Sequence, residues 1–321
     1  MELYRNLSDI PADFGPSVVT IGNFDGVHTG HTAVLTKVVD IAQKQRLTSV
    51  VVSFDPHPVQ VHRPELQLRQ IMGQQDRQHC IAQLGIQSYL LLNYTLEFAQ
   101  QSARDFVRST FVEALAAQYV VIGEDVHFGR NNAGNLATMQ DLGAQYGFEV
   151  VTVEDLLADD QQRTSSTMIR HLLSQGQVEE AALLLGRPHR MSGEIVHGSA
   201  RGRELGFPTA NLAADAAGFI PADGVYAGWL LDQDQQRHPV AISVGTNPTF
   251  EGVSQRQVEA HVIGRPQEPV ENFNLYGQQV LLEFTQHLRP MVAYTGVQAL
   301  IEQMGRDVLD AQQALGVHIS S

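Results

Sequence analysis

The 321-residue sequence contains little cysteine and little positive charge. Cys80 is its single cysteine, which excludes an internal disulfide and a zinc site built from several cysteines. The 21 Lys and Arg residues are outnumbered by 35 Asp and Glu residues, and the formal net charge is −14. Because nucleic-acid binding depends on neutralising many phosphates, we expect no nucleic-acid partner.

Long apolar runs are also missing from the sequence. No run approaches the roughly 20 apolar residues that cross a bilayer, and residues 1–7 lack the basic and apolar regions of a signal peptide. We therefore expect a cytoplasmic protein without membrane contact, in agreement with the scarcity of cysteine. The length is roughly twice that of a common domain, which predicts two compact units.

In the first half of the chain, strand-like and helical segments alternate. A short buried strand is predicted at residues 17–22, a helix at 30–45 and a second strand at 49–54. The alternation continues with predicted helices at about 74–84 and 102–117 and predicted strands at 89–92, 119–122 and 149–153. This pattern predicts an α/β domain with an open, doubly wound parallel sheet, a Rossmann-like fold whose ligands bind beyond the carboxyl ends of the strands.

Two short helices are predicted between Ser166 and Gly186, each ending at a glycine. A Gly-Arg-Pro stop follows at residues 186–188, and we place the domain boundary there. The predicted domains are residues 1–186 and 187–321.

The second half of the chain has an apolar pattern of period two. Predicted strands lie at residues 191–197, 225–231, 240–244, 258–263 and 279–284. Turn-rich stretches separate them, including a predicted hairpin turn at 232–237, and the pattern predicts a small antiparallel β-barrel. From Thr295 to about residue 315 the apolar spacing is helical, so we expect a terminal helix that packs on the barrel, with a capping box formed by Thr295 and Gln298.

Residues 22–31 (Gly-Asn-Phe-Asp-Gly-Val-His-Thr-Gly-His) connect the first predicted strand to the start of the first predicted helix. Glycines let the backbone approach a phosphate, and the start of a helix offers unpaired N–H groups. His28 and His31 could both face the charge that builds on an attacked phosphorus. A single histidine in a turn is usually a surface or capping residue, but this combination favours phosphate chemistry.

This loop resembles the FMN adenylyltransferase branch of the His-x-Gly-His nucleotidyltransferase superfamily. The similarity extends to residues 53–58, 123–129 and 165–170. The resemblance implies that FMN's phosphate attacks the α-phosphorus of ATP and releases pyrophosphate, with no covalent enzyme intermediate. It also implies that His28 and His31 stabilise the transition state and that Arg170 binds pyrophosphate.

The nucleotide- and flavin-binding residues implied by the resemblance are Gly22, Phe24, Asp25, Gly30, His57, Asp125, Phe128, Ser166 and Thr167. Ser166 and Thr167 could cap a helix as well as bind phosphate. The sequence departs from the family's pattern at Val126, where Phe is more common, and at residues 68–70, where a Thr-Thr pair is usual. Both departures fall in loops expected to contact the flavin.

Residues 193–211 form a second motif, rich in glycine and arginine (Gly-Glu-Ile-Val-His-Gly-Ser-Ala-Arg-Gly-Arg-Glu-Leu-Gly-Phe-Pro-Thr-Ala-Asn). Such a loop can wrap phosphates with its N–H groups. The side chains of Thr209 and Asn211 would point the same way in an extended strand, and their oxygen atoms could coordinate a hard cation. Alternatively, the Gly-Phe-Pro-Thr stretch is a plain turn, and Arg201 and Arg203 are solvated charges.

This second motif resembles riboflavin kinase, and similar stretches follow at residues 221–226, 243–250, 258–262 and 275–277. The resemblance implies that Glu259 is the base for the ribityl 5′-hydroxyl, which attacks the γ-phosphorus of ATP. It implies Mg²⁺ at Thr209 and Asn211. The implied substrate-binding residues are Gly198, Arg201, Gly202, Arg203, Gly206, Pro208 and Asn247.

Together the two resemblances cover residues from about 18 to about 307 and imply a bifunctional enzyme. Riboflavin and ATP would give FMN, and FMN with a second ATP would give FAD, with Mg²⁺ in both reactions. Two alternatives stay open: a kinase alone with a defective adenylyl site, and a regulator that binds flavin or nucleotide without turnover. The sequence leaves the oligomeric state open, including a homo-oligomer.

Overall fold

The computed structural model describes residues 1–153, 164–198, 205–246, 256–265, 275–292, 294 and 296–317. The chain divides into two compact units, Met1–Arg69 with Gln75–Ser165 and Gln70–Gln74 with Ser166–Ser321. Among the described helices, none combines the length and the apolar character that a membrane crossing requires.

The first unit contains a six-stranded parallel sheet. Its strands are β1 (Glu2–Tyr4), β2 (Ser17–Ile21), β3 (Thr48–Asp55), β4 (Ser88–Asn93), β5 (Ala117–Gly123) and β6 (Glu149–Val153). The order in the sheet is β1-β4-β3-β2-β5-β6, so the chain runs outward from β2 in both directions. The prediction of a doubly wound parallel sheet is confirmed. The crevice of such a sheet lies at the carboxyl end of the strand where the order reverses, and residues 22–28 leave β2 at that end.

Helices cover both faces of this sheet, and its central strands are buried accordingly. The helices are α1 (Thr29–Gln45), α2 (Pro58–His62), α3 (Gln74–Gln83), α4 (Ala103–Phe106), a π-helix (Val107–Ala114) and α5 (Leu136–Tyr146), with short 3₁₀ turns at Leu7–Asp9, Pro64–Leu66, Phe98–Gln100 and Arg130–Asn132. Val18 and Val19 in β2 and Val50 to Val52 in β3 are fully buried. Unbroken apolar runs are typical of parallel strands covered on both faces.

Several elements of this unit differ from the predictions, and neither α2 nor α5 was predicted as a helix. The single helix predicted at 102–117 is α4 followed by the π-helix, in which the Leu115 N–H donates to the Thr110 carbonyl five residues back. Apolar spacing alone does not distinguish the two helix types. Strand β1 was not predicted, because its three residues are largely exposed and contain no alternating pattern.

The second unit contains a closed six-stranded antiparallel barrel, as predicted. Its strands are β7 (His189–Val196), β8 (Thr209–Leu212), β9 (Gly224–Leu231), β10 (Arg237–Thr246), β11 (Arg256–Val262) and β12 (Gln279–Pro290), and its helices are α6 (Ser166–Ser174), α7 (Val178–Leu185) and α8 (Val297–Leu315). The order around the barrel is β10-β11-β8-β7-β12-β9. The predicted hairpin turn joins β9 to β10, and the Asp232 N–H donates to the Gln236 carbonyl. The four-residue β8 was not predicted as a strand.

The terminal helix α8 packs on the barrel. Arg289 of β12 donates from Nε and Nη2 to the buried Asp307 carboxylate of α8, at 2.7 and 2.6 Å. Ala311 packs against Ala227 and Ala241 beside this ion pair. The helix has Gly296 at its N-cap, and the predicted capping residue Thr295 lies outside the described residues.

Helices α6 and α7 share an apolar core with the barrel. Ile169, Leu173 and Ala181 are fully buried and belong to the same cluster as Leu230 and Phe284 of the barrel wall. Amphipathic helices bury their apolar faces wherever a complementary surface is available. The residues from Ser166 to Gly186 therefore belong to the second compact unit, although they precede the predicted boundary. The functional division into residues 1–186 and 187–321 stays a prediction.

Candidate active sites

The two histidines of the first motif lie together at the start of α1. His28 is the N-cap residue, and its Nδ1 accepts a hydrogen bond from the His31 N–H at 3.3 Å. The two imidazoles stack, with ring centroids 3.6 Å apart and an interplanar angle of 18°. His28 is buried. Two side chains predicted to act on one phosphate are thus adjacent at the positive end of a helix.

The loop before this helix has an unusual backbone. Phe24 and Val27 have positive φ angles of 50° and 40°, which are uncommon for residues other than glycine and strained for a β-branched one. The Phe24 ring is buried and meets the His31 ring edge to face at 5.2 Å. A Cβ at Gly22 would lie 3.1 Å from the Phe24 ring, and one at Gly30 would lie 3.3 Å from the His28 ring. Both glycines therefore leave room for rings of the site.

Arg77 of α3 supports the same loop and was missed by the sequence reasoning. Its side chain is fully buried, and Nη1 donates to the Asn23 carbonyl at 2.7 Å. The buried Asp25 follows two residues later in that loop. The position lies 54 residues from Asn23 and in no motif. A lone arginine in a polar helix gives no sequence signal of this role.

Three other predicted residues lie at the same edge of the sheet. Strands β3 and β5 flank β2, so the carboxyl ends of all three meet there. His57 follows β3 and caps α2, with Nδ1 accepting from the Val59 N–H at 3.2 Å. Asp125 follows β5 beside Gly123, where a Cβ would lie 3.1 Å from Asp125 Oδ1. Phe128 is buried, with its ring centroid 6.4 Å from that of Phe106.

Arg170, which is predicted to bind pyrophosphate, and the predicted ligand-binding residues Ser166 and Thr167 belong to the second compact unit. Ser166 and Thr167 form the first turn of α6, and Arg170 lies one turn further along the helix. Their role beside His28 and His31 stays a prediction.

In the second unit, strands β8 and β11 gather the predicted kinase residues on one face. Asn211 pairs with Glu259 and Thr209 with His261 across the two strands. Ala210 and Ala260, which alternate with these residues, point into the barrel core and are buried. The four side chains therefore share the opposite face. We call Thr209, Asn211, Glu259 and His261 the β8–β11 block.

Hydrogen bonds connect the members of this block. Thr209 Oγ1 donates to Glu259 Oε2 at 3.3 Å, and Asn211 Nδ2 donates to Thr209 Oγ1 at 3.5 Å. A Cβ at Gly198 would lie 2.6 Å from both Cγ and Oδ1 of Asn211, so the glycine packs directly on that amide. A cavity of about 150 Å³ is lined in part by Gly198, Asn211 and Arg256.

The segment that leads into β8 is held by His261. Its Nδ1–H donates to the Pro208 carbonyl at 2.9 Å, and the Phe207 ring meets the imidazole edge to face at 5.3 Å. Burial lowers the pKa of His261. Gly206 takes a φ of 87° at the preceding turn, a conformation that favours glycine.

Several predicted residues of this site are not described. Arg201, Gly202, Arg203 and Asn247 lie outside the described residues. In the described part of the chain, no group of three or more His, Cys, Asp and Glu side chains could hold a metal ion. The Thr209 hydroxyl, the Asn211 amide oxygen and the Glu259 carboxylate are nonetheless oxygen donors of the kind that hard cations prefer.

Comparisons with known proteins match the two parts of the chain to two different family models. The family model for FAD synthetase matches residues 10–168, and that for riboflavin kinase matches residues 185–315. A protein of Escherichia coli strain K12 named bifunctional riboflavin kinase/FMN adenylyltransferase is 30% identical over 320 residues, which is 99% of each chain. Its namesake in Listeria monocytogenes is 32% identical over 299 residues, 92% of this chain and 91% of its own. A crystal structure described as a macrolide-efflux protein from Streptococcus pneumoniae is 30% identical, with a TM-score of 0.84 over 97% of this chain and 98% of that one.

Proposed function

The chain belongs to the family of bifunctional riboflavin kinase/FMN adenylyltransferase enzymes, and we propose that each of its two sites performs one of the two reactions. The enzyme phosphorylates riboflavin with ATP to FMN and adenylylates FMN with ATP to FAD. The predicted bifunctionality is confirmed, and neither the kinase-alone alternative nor the regulator is supported. Efflux, named for the Streptococcus structure, is not part of the proposal, because both family models and the curated relatives name transferases.

The single observation that carries the proposal for the kinase is the β8–β11 block. Glu259 accepts the proton of the ribityl 5′-hydroxyl as that oxygen attacks the γ-phosphorus of ATP. The new O–P bond forms, the bond from the γ-phosphorus to the β–γ bridging oxygen breaks, and ADP leaves. The Thr209 hydroxyl, which donates to Glu259 Oε2 at 3.3 Å, orients the carboxylate for this proton transfer.

The block also fits a magnesium ion. Mg²⁺ usually takes few protein oxygens together with substrate phosphates, and Thr209 and Asn211 present a hydroxyl and an amide from one strand face. These two residues would hold the ion beside ATP. When bound, Mg²⁺ neutralises charge on the transferring phosphoryl group.

The adenylyl transfer is assigned to the His28–His31 pair. An FMN phosphate oxygen attacks the α-phosphorus of ATP, the bond from the α-phosphorus to the α–β bridging oxygen breaks, and pyrophosphate leaves. Because Nδ1 of His28 accepts from the His31 N–H, the neutral imidazole carries its proton on Nε2 and can donate to a phosphate oxygen. The helix N-terminus adds to the stabilisation of negative charge. Arg170 is proposed to bind the leaving pyrophosphate, and Ser166 and Thr167 are proposed to bind phosphate of the substrates.

A product assay tests the proposal. The purified chain is incubated with riboflavin, ATP and Mg²⁺, and the flavins are resolved by chromatography. His31→Ala should stop FAD formation while FMN accumulates, and Glu259→Ala should block FMN formation while added FMN is still adenylylated. Loss of both activities in either variant would contradict separate sites. The cytoplasmic location, the absence of nucleic-acid partners and the oligomeric state stay predictions.

A further inference from the structure

His261 is a member of the β8–β11 block to which the proposed mechanism gives no step. It lies opposite Thr209 in the strand register and two residues from Glu259 on the same strand. Its imidazole forms a hydrogen bond with the backbone, in which Nδ1–H donates to the Pro208 carbonyl at 2.9 Å. We infer that His261 is a positioning residue of the kinase site, which fixes the direction of the Thr209 hydroxyl through the Pro208–Thr209 peptide. The inference rests on the proposed kinase function.

The need for such an anchor follows from where β8 begins. Thr209 is the first residue of the strand, so the regular ladder of backbone hydrogen bonds starts there. Pro208 has no N–H to donate, and the peptide that joins it to Thr209 is the last one before the ladder. The imidazole supplies a hydrogen bond to this peptide from the partner strand. The end of β8 is thereby held at the residue whose hydroxyl contacts Glu259 Oε2.

Packing restrains the imidazole in turn. The Phe207 ring meets it edge to face at 5.3 Å, and Pro208 has a fixed φ. Phe207, Pro208 and His261 are therefore linked at the start of β8 by this ring contact and by the hydrogen bond to the Pro208 carbonyl. A ring held in this way keeps Nδ1 directed at the carbonyl and transmits its position to Thr209.

The competing role for His261 is direct contact with substrate through Nε2. Two substitutions separate these roles, because the amide nitrogen of Asn can take the place of Nδ1 and that of Gln the place of Nε2. A positioning role through Nδ1 predicts that His261→Asn keeps most of the activity and that His261→Gln loses it. A substrate contact through Nε2 predicts the reverse order.

The experiment measures initial rates of FMN formation against Mg²⁺ concentration at saturating riboflavin and ATP. Loss of one neutral hydrogen bond corresponds to about a tenfold effect, so His261→Ala and His261→Gln should need about tenfold more Mg²⁺ for half-maximal rate. His261→Asn should stay close to the wild-type curve. A merely structural role would lower the amount of folded protein without moving the Mg²⁺ requirement.

The matched control is His238→Ala. His238 lies in β10 of the same barrel, and its Nε2 forms a hydrogen bond with the side-chain carboxylate of Asp232 at 2.8 Å, outside the block. This variant should keep the wild-type Mg²⁺ requirement. Thermal unfolding followed by the fluorescence of Trp229 in β9, the single tryptophan, reports the folded fraction of each variant.

The outcomes are decisive in both directions. An unchanged Mg²⁺ requirement in His261→Ala, equal loss in the Asn and Gln variants, or better activity with Gln than with Asn would overturn the positioning role. Retention with Asn and a raised Mg²⁺ requirement with Gln would support it. If the wild-type chain made no FMN from riboflavin, the proposed kinase function itself would fail, which is a different result from any of these.

Discussion

A methyl group added at Gly198 should disable the kinase site by displacing Asn211. The Cβ of alanine would lie 2.6 Å from both Cγ and Oδ1 of that side chain. Ordinary carbon contacts begin near 3.5 Å, so the amide must move by about 1 Å. Because a displacement of about 1 Å in a positioned group can cost about 100-fold in rate, Gly198→Ala should lower FMN formation by about two orders of magnitude.

The backbone itself gives no reason for such a loss. Gly198 does not have a positive φ, so alanine can adopt its conformation. FAD formation from added FMN should be unaffected and serves as an internal control. Gly305→Ala is the matched control, because nothing lies within 4 Å of a Cβ there. It lies inside α8 and should keep full kinase activity while stabilising the helix by up to about 1 kcal/mol.

A double-mutant cycle decides whether the effect passes through Asn211. Asn211→Ala removes both the amide and the clash, so adding Gly198→Ala to it should cause little further loss. If the two losses multiplied in the double variant, or if Gly198→Ala kept the wild-type rate, the steric reasoning would be wrong.

Two further predictions concern the stability of the barrel unit, measured by urea unfolding with Trp229 fluorescence. Burial lowers the pKa of His189 to about 4, whereas the pKa of the same imidazole in the unfolded chain is about 6.5. The unfolded chain therefore takes up the proton first as the pH falls. The free energy of unfolding should be highest above about pH 6.5 and should decrease by up to about 3 kcal/mol as the pH falls toward 4. His189→Gln should make the free energy of unfolding less dependent on pH. If the variant and the wild type showed the same pH dependence, His189 would not be its source. Asp307→Ala should destabilise the unit by about 2–3 kcal/mol. This loss is smaller than for a fully buried ion pair, because a fifth of the Arg289 side chain is exposed. Asp310→Ala, on the exposed side of α8, should have little effect. Equal losses in these two variants would refute a role for the buried ion pair.

The predictions from sequence succeeded where a pattern is local. Period-two alternation identified β11, and helical spacing identified α1 to within about one residue at each end. The two-residue spacing of Thr209 and Asn211 correctly placed both on one face. What spacing could not provide is the register of β8 against β11, because it depends on pairing between segments about 50 residues apart.

The residues that sequence reasoning missed act through the backbone of other segments. Arg77 supports the Asn23 carbonyl from a distant helix, and His261 holds the Pro208 carbonyl from the neighbouring strand. Neither contact leaves a trace in local composition, because a carbonyl accepts from any suitable donor. The packing of α6 and α7 against the barrel core was missed for a similar reason, because an apolar helix face does not specify the surface against which it packs.

The strict alternation along β11 limits how the length of this protein can change in evolution or engineering. Deleting one residue inside the strand would turn Glu259 inward, toward the space that fully buried Ala260 now occupies. An unpaired carboxylate in that space would cost several kcal/mol, and the catalytic face would receive apolar side chains instead. Insertions or deletions of two residues keep each side chain on its face of the sheet, but they change the strand register so that Glu259 no longer pairs with Asn211. Length variation compatible with catalysis is therefore confined to segments outside the paired strands.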